Sequence, residues 1–118
     1  MRHNKHKLAM SNAVKALNLK LFADEKYLSP SITAIQTDGM DAEEFRKTIK
    51  NNFDILLAGG QDHLKGKIFR VGHLGYVNDR DIITVISAIS NTLVELGKIT
   101  AQQAGEALVI ASKNLESS

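Results

Sequence analysis

A chain of 118 residues, 43% apolar and 24% charged, supports one domain spanning residues 1–118, with room for a single core but not for two. Lysine and arginine number 15 against 13 acidic residues, and a net charge of +2 is too small to indicate nucleic acid or an anionic membrane surface as partner. There is no cysteine, which excludes disulfides, thiolate nucleophiles and cysteine-based metal sites, and no apolar run approaches the ~20 residues of a membrane span.

Residues 2–18 read as a helix, because Ala9, Met10, Ala13, Val14 and Leu17 recur at three-to-four spacing. Asn18 helps to end it. Arg2, Lys5 and Lys7, with His3 and His6 between them, admit a phosphate-contacting arm, but the plainer reading is the solvated first turns of this helix. The basic start lacks an apolar stretch behind it, so no secretory signal is expected, and the ending Leu115-Glu116-Ser117-Ser118 matches no common targeting tripeptide. A reduced, soluble, cytoplasmic chain is the expectation.

Residues 19–22 alternate as a short edge strand, and Ser29-Pro30 breaks any helix, since proline disfavours helical geometry in the residue before it. Residues 31–37 set Ile32, Ala34 and Gln36 against Ser31, Thr33, Ile35 and Thr37, a β-branched alternation that predicts a strand ended by Gly39. Asp41 with Glu44 forms a capping pair for a helix over 41–53 that presents Phe45, Ile49 and Phe53 on one stripe. The apolar run 54–58 reads as a strand terminated by Gly59-Gly60, and 67–72 as another. Asn78 or Asp79 caps a helix at 81–96 whose main stripe is Ile82, Val85, Ile86, Ile89, Leu93 and Leu96, with Ile83 and Val94 widening its apolar surface. Gly97 ends that helix, and Thr100 with Gln103 forms a capping box opening the last one, with Ala104, Ala107, Leu108, Ala111 and Leu115 inward. This order predicts an α+β fold, a two-layer sandwich in which a small three- to four-stranded sheet carries helices on one face.

The stretch 57–77, LAGGQDHLKGKIFRVGHLGYV, is the most informative. Two glycines precede a polar loop, and the strand that follows is apolar except for one arginine. Period-two alternation points Phe69 and Val71 one way and Ile68, Arg70 and Gly72 the other. If the phenylalanine and valine meet the helices, Arg70 lies on the opposite face. There it either pairs with a nearby carboxylate as a surface residue or serves as a two-pronged receptor for an anionic ligand. Gly72 beside it would admit a ligand or a backbone at close range. His73, between Gly72 and Gly75, reads as a histidine bonded to local backbone, an acid–base role lacking a carboxylate at fixed spacing. Lys65 and Lys67 sit in a polar loop and read as solvated, and His3, His6, His63 and His73 offer no metal spacing beyond a weak i, i+3 pair at the terminus.

The run GGQDHLKGKIFRVGHLG resembles the small-domain signature at the C-terminal end of class V aminotransferases of fold type I, and most of all the alanine–glyoxylate and serine–glyoxylate aminotransferases. RHNKHKLAMSNAVKALNLKLF resembles the family's interdomain helix and following strand, and SPSITAIQTDGMDAEEFRKTIKNNFDILLAGG its strand, helix and return strand. Some cyanobacterial relatives, labelled soluble hydrogenase subunits, are similar too. The resemblance implies that Arg70 binds the substrate carboxylate. It implies pyridoxal phosphate in the intact protein, held with the cofactor-linking lysine by a large domain outside these residues. No catalytic, cofactor-binding or metal-binding residue falls on this chain, which alone would bind no cofactor and be inactive. The remaining partners implied are that large domain, a second copy in a homodimer, and a small amino or keto acid. A second reading makes the chain a non-catalytic interaction module of a hydrogenase-associated subunit, docking through its sheet face and the helix 81–96. A third, weaker reading is a stand-alone ligand-binding domain with Arg70 as its anion site.

Overall fold

A computed structural model describes residues 2–22, 32–37, 39–72 and 78–116, with side chains from Lys5 onward. In chain order the elements are α1 (Arg2–Ala16), β1 (Lys20–Leu21), β2 (Ile32–Gln36), α2 (Ala42–Phe53), β3 (Ala58–Gly59), β4 (Ile68–Gly72), α3 (Asp79–Glu95) and α4 (Ala101–Glu116), with a short 3-10 turn at Asp62–Leu64. The strands form one antiparallel sheet in the order β1-β2-β4-β3. This is the expected α+β sandwich: helices cover one face of the sheet. The proline break at Ser29-Pro30, Ser31, His73 and Gly75 lie outside the described residues.

Local chemistry accounts for the element ends. Asn18 adopts φ 64 just past α1, a left-handed conformation that asparagine tolerates better than most residues. Asp41 caps α2 by accepting a hydrogen bond from the Glu43 N–H at 2.9 Å. Asn78, not Asp79, caps α3. Its side chain accepts from the Asp81 N–H at 2.9 Å while the Asp81 carboxylate accepts from the Asn78 N–H at 3.0 Å, a reciprocal capping box. At the other end of α3, Gly97 at φ 73 lets the Lys98 N–H reach Leu93 O and its own N–H reach Val94 O, the paired bonds of a Schellman motif. Thr100 and Gln103 exchange the bonds of the expected box at the start of α4.

The core lies between sheet and helices. Phe69 and Val71 from β4 and Ile35 from β2 meet Phe45 and Ile49 of α2, Ile82, Ile86, Ile89 and Leu93 of α3, and an alanine stripe (Ala104, Ala107, Ala111) on α4. Phe45 and Phe69 pack with ring centroids 5.3 Å apart. The helix α1 lies against α4 and contributes Met10, Ala13, Val14 and Leu17.

Several expectations need correction, among them Phe53, expected on the buried stripe of α2 but 38% exposed. The run 54–58 is not a strand: Asp54 takes φ 56 as the cap of α2, the chain turns there, and Leu56 is left 79% exposed, so pairing with β4 begins only at Ala58. Gly59 is accordingly inside the strand and does not terminate it. The start of α1 is not simply solvated, because His6 is fully buried. Leu96 falls off the buried stripe of α3 and is 52% exposed, since the helix has already ended at Glu95. Ile83 and Val94, read as surplus apolar surface, pack against the core.

Candidate functional site

The alternation of β4 divides as its sequence requires: Phe69 and Val71 enter the core, while Ile68 joins a separate cluster on the open face with Ala34, Phe22, Ile32 and Leu64. Arg70 lies on that open face, half-buried. Register places Ala34 of β2 on one side of it and Ala58 of β3 on the other, so both neighbouring strands present a methyl group where a larger side chain would cover the guanidinium. The Arg70 Nε–H donates to Gly59 O at 2.9 Å, a contact on the β3 side of the guanidinium. Arg70 lines a cavity of about 310 Å³ together with Ile32, Ile55, Leu56, Gly72 and Val85. A planar cation against an apolar wall is an arrangement able to hold a small molecule with one carboxylate and a short side chain.

The two glycines ahead of the loop have different tasks from those of a flexible turn. A Cβ on Gly59 would lie 2.6 Å from Glu43 Oε2 and 2.8 Å from Arg46 Nη2, and one on Gly60 would lie 2.4 Å from Leu64 O. Both are therefore places of close approach. Gly72 has nothing within 4 Å of its Cβ position among the described residues.

Two groups of polar side chains were not anticipated. On α2, Glu43 and Arg46 form a fork, with Nη2 to Oε1 at 2.8 Å and Nε to Oε2 at 3.3 Å, and Arg46 Nη1 donates to Leu57 O at 2.7 Å. Their i, i+3 spacing was the available signal. Between α1 and α3, the His6 Nε2–H donates to Asp79 Oδ1 at 2.9 Å, and Lys5 Nζ reaches Oδ2 at 3.2 Å. The hydrogen bond from His6, and secondly that from Lys5, hold the Asp79 carboxyl below the usual carboxylate range against the opposing effect of desolvation. His6 Nδ1 is buried without a hydrogen-bond partner among the described residues. His6 falls on the same helical stripe as Met10, Ala13 and Leu17, which would have marked it as inward.

Lys5 and Lys50 pair with Asp79 and Asp54. Lys7 donates to Ile32 O, and burial lowers its pKa. Lys65 and Lys67 are exposed, as expected. Among the described residues no three His, Cys, Asp or Glu side chains gather as they would around a metal ion, and no helix is long and apolar enough to cross a membrane.

No family model matches the chain. It is 56% identical over 96 residues to the soluble hydrogenase 42 kDa subunit of Anabaena cylindrica, covering 81% of this chain and 25% of that protein. It is 30% identical over 112 residues to the (S)-ureidoglycine–glyoxylate transaminase of Bacillus subtilis, covering 93% of this chain and 26% of the enzyme. The structure superposes on the B. subtilis ureidoglycine–glyoxylate aminotransferase with a TM-score of 0.82, over 95% of this chain and 30% of that one, at 29% identity. On pyridoxamine–pyruvate aminotransferase from Mesorhizobium loti the TM-score is 0.85, over 98% and 30% of the two chains, at 25% identity. The chain thus spans about a quarter of the length of the curated relatives it matches.

Proposed function

We propose, starting from the chain's homology to the small domain of class V aminotransferases, that it serves as the C-terminal domain of a pyridoxal-phosphate aminotransferase of the amino acid–glyoxylate type. Its contribution is Arg70, which receives the α-carboxylate of the amino or keto acid. The observation that carries this reading is the placement of Arg70 on the face of the sheet away from the helices, between Ala34 and Ala58 and in the lining of a cavity. A carboxylate meeting that guanidinium gains a charge-assisted, geometrically fixed contact. The cofactor supplies the amino-group chemistry and is held by the remainder of the parent enzyme, as the aminotransferase relatives imply. The same polypeptide covers the open face of the sheet, and the intact protein is a homodimer in the cytoplasm.

The test is kinetic. In a full-length protein carrying this domain, Arg70→Ala should lower kcat/KM for amino-acid donors by roughly two orders of magnitude, as expected for removing a contact worth about 2–4 kcal/mol. Kinetics unchanged by that substitution would remove Arg70 from the site.

A second reading is favoured by the hydrogenase names of relatives at 56% and 54% identity. In it the chain is an interaction module that docks a partner through exposed apolar residues such as Leu96, Val109 and Ile110. Absorbance near the pyridoxal-phosphate bands in the purified full-length protein, together with transamination of glyoxylate, separates the two readings: the module would show neither.

A further inference from the structure

The Arg70 Nε–H is bonded to a carbonyl on a short edge strand of the sheet. Among the described residues β3 is two residues long, lies at one edge of the sheet and pairs with β4. A pair of ladder positions at an edge holds a backbone loosely. Yet Gly59 O must stay where the Arg70 Nε–H finds it at 2.9 Å. What fixes it comes from the other side of the sheet. The Glu43–Arg46 fork lies so close to Gly59 that a Cβ would overlap it, and Arg46 Nη1 binds Leu57 O two residues upstream at 2.7 Å. One contact presses on the strand and the other ties the backbone leading into it. Both side chains of the fork are less than one-third exposed, so the pair is only partly weakened by solvent.

We infer that Arg46, locked in plane by Glu43, is a positioning residue for Arg70: it clamps 57–59 from the helix side so that Gly59 O orients the Arg70 guanidinium on the open side. The inference rests on the carboxylate-receptor reading of Arg70 for its catalytic consequence, but not for its structural one. It also accounts for the pair of glycines. Gly59 is small because the fork occupies the space of its side chain, and Gly60 because the turn at Asp62–Leu64 folds back onto it.

The experiment has two arms. In the 118-residue chain, hydrogen exchange of the Arg70 Nε–H is followed by nitrogen-15 NMR. Arg46→Met keeps most of the side-chain stem but removes every donor, and should speed that exchange about five- to tenfold, as for loss of one ordinary hydrogen bond. Glu43→Gln keeps the shape and weakens the lock, and should give about a two- to threefold change. This milder variant carries the test if Arg46→Met fails to fold. In the full-length protein, Arg46→Met should raise KM for the amino donor about three- to tenfold with kcat within about twofold, since ground-state and transition-state binding are lost together. Unchanged Arg70 exchange in folded variants overturns the inference. So does an unchanged KM where Arg70→Ala itself raises KM. If Arg70→Ala leaves kinetics untouched while the exchange responds to Arg46→Met, the carboxylate reading fails and the clamp stands.

Discussion

The two faces of the small sheet are made from alternate residues of the same strands, yet they are built on opposite principles. Toward the helices, Ile35, Phe69 and Val71 join a core to which four helices contribute, and every position is closed. On the other side, Ala34 and Ile68 form a small apolar cluster with Phe22, Ile32 and Leu64 among the described residues, and the next position of β4 on that face is an arginine. The first face holds the fold together through burial, which is non-directional and scales with area. The second keeps just enough apolar contact to seat a strand and uses what remains to point one cation. On this domain the core and the placement of Arg70 are separated by one residue of alternation.

That separation can be tested from its largest expected effect downward. Phe69→Ala removes a fully buried ring that packs on Phe45 and should cost about 3–5 kcal/mol, read as a lower urea midpoint; Ile68→Ala on the opposite face should cost less, about 2 kcal/mol, because the side chain is smaller and belongs to the smaller apolar cluster. Equal losses at the two positions would erase the distinction. Gly60→Ala drives a methyl group against the backbone at Leu64 O and should cost about 2 kcal/mol or more, whereas Gly72→Ala meets no atom of the described residues within 4 Å and should stay within about 0.5 kcal/mol. The smallest effect concerns the link between α1 and α3. Because the folded state lowers the Asp79 pKa, its contribution is complete above the unfolded carboxylate value near ~3.9 and is lost as pH falls through the folded value. Asp79→Asn should therefore destabilise by about 0.5 kcal/mol at neutral pH, a figure discounted for a half-exposed carboxylate, and the gap from the parent chain should close in acid. A gap that persists unchanged below the carboxylate range would mean that packing around His6, and not charge, makes the link.

Much of this was legible in the residues alone. The caps at Asn78, Gly97 and Thr100 are short-range chemistry, with donor and acceptor within a few positions of each other, so their spelling is sufficient. The two faces of β4 followed from alternation, and Arg70 stood out because an arginine inside an apolar strand must look away from the core. The run at 54–58 misled because apolar content does not say whether a segment reaches a partner strand. Asp54 turned the chain, and the ladder began late. His6 was on the apolar stripe but its charge class suggested solvent, and only the approach of Asp79 from α3 gave its Nε2–H an acceptor. The Glu43–Arg46 pair was visible as spacing and invisible as a clamp, because Leu57 and Gly59 come under it only through the fold.

From the residues alone came the four helices, the strand β4, the caps at Asn78, Gly97 and Thr100, the α+β class and the face on which Arg70 stands, since period and capping act over a few residues. The tertiary structure decided the register that sets Ala34 and Ala58 beside Arg70, the shortness of β3 and the carbonyl that turns the guanidinium. Those are pairings between segments ten to forty residues apart, fixed by packing and hydrogen bonds that no local pattern encodes.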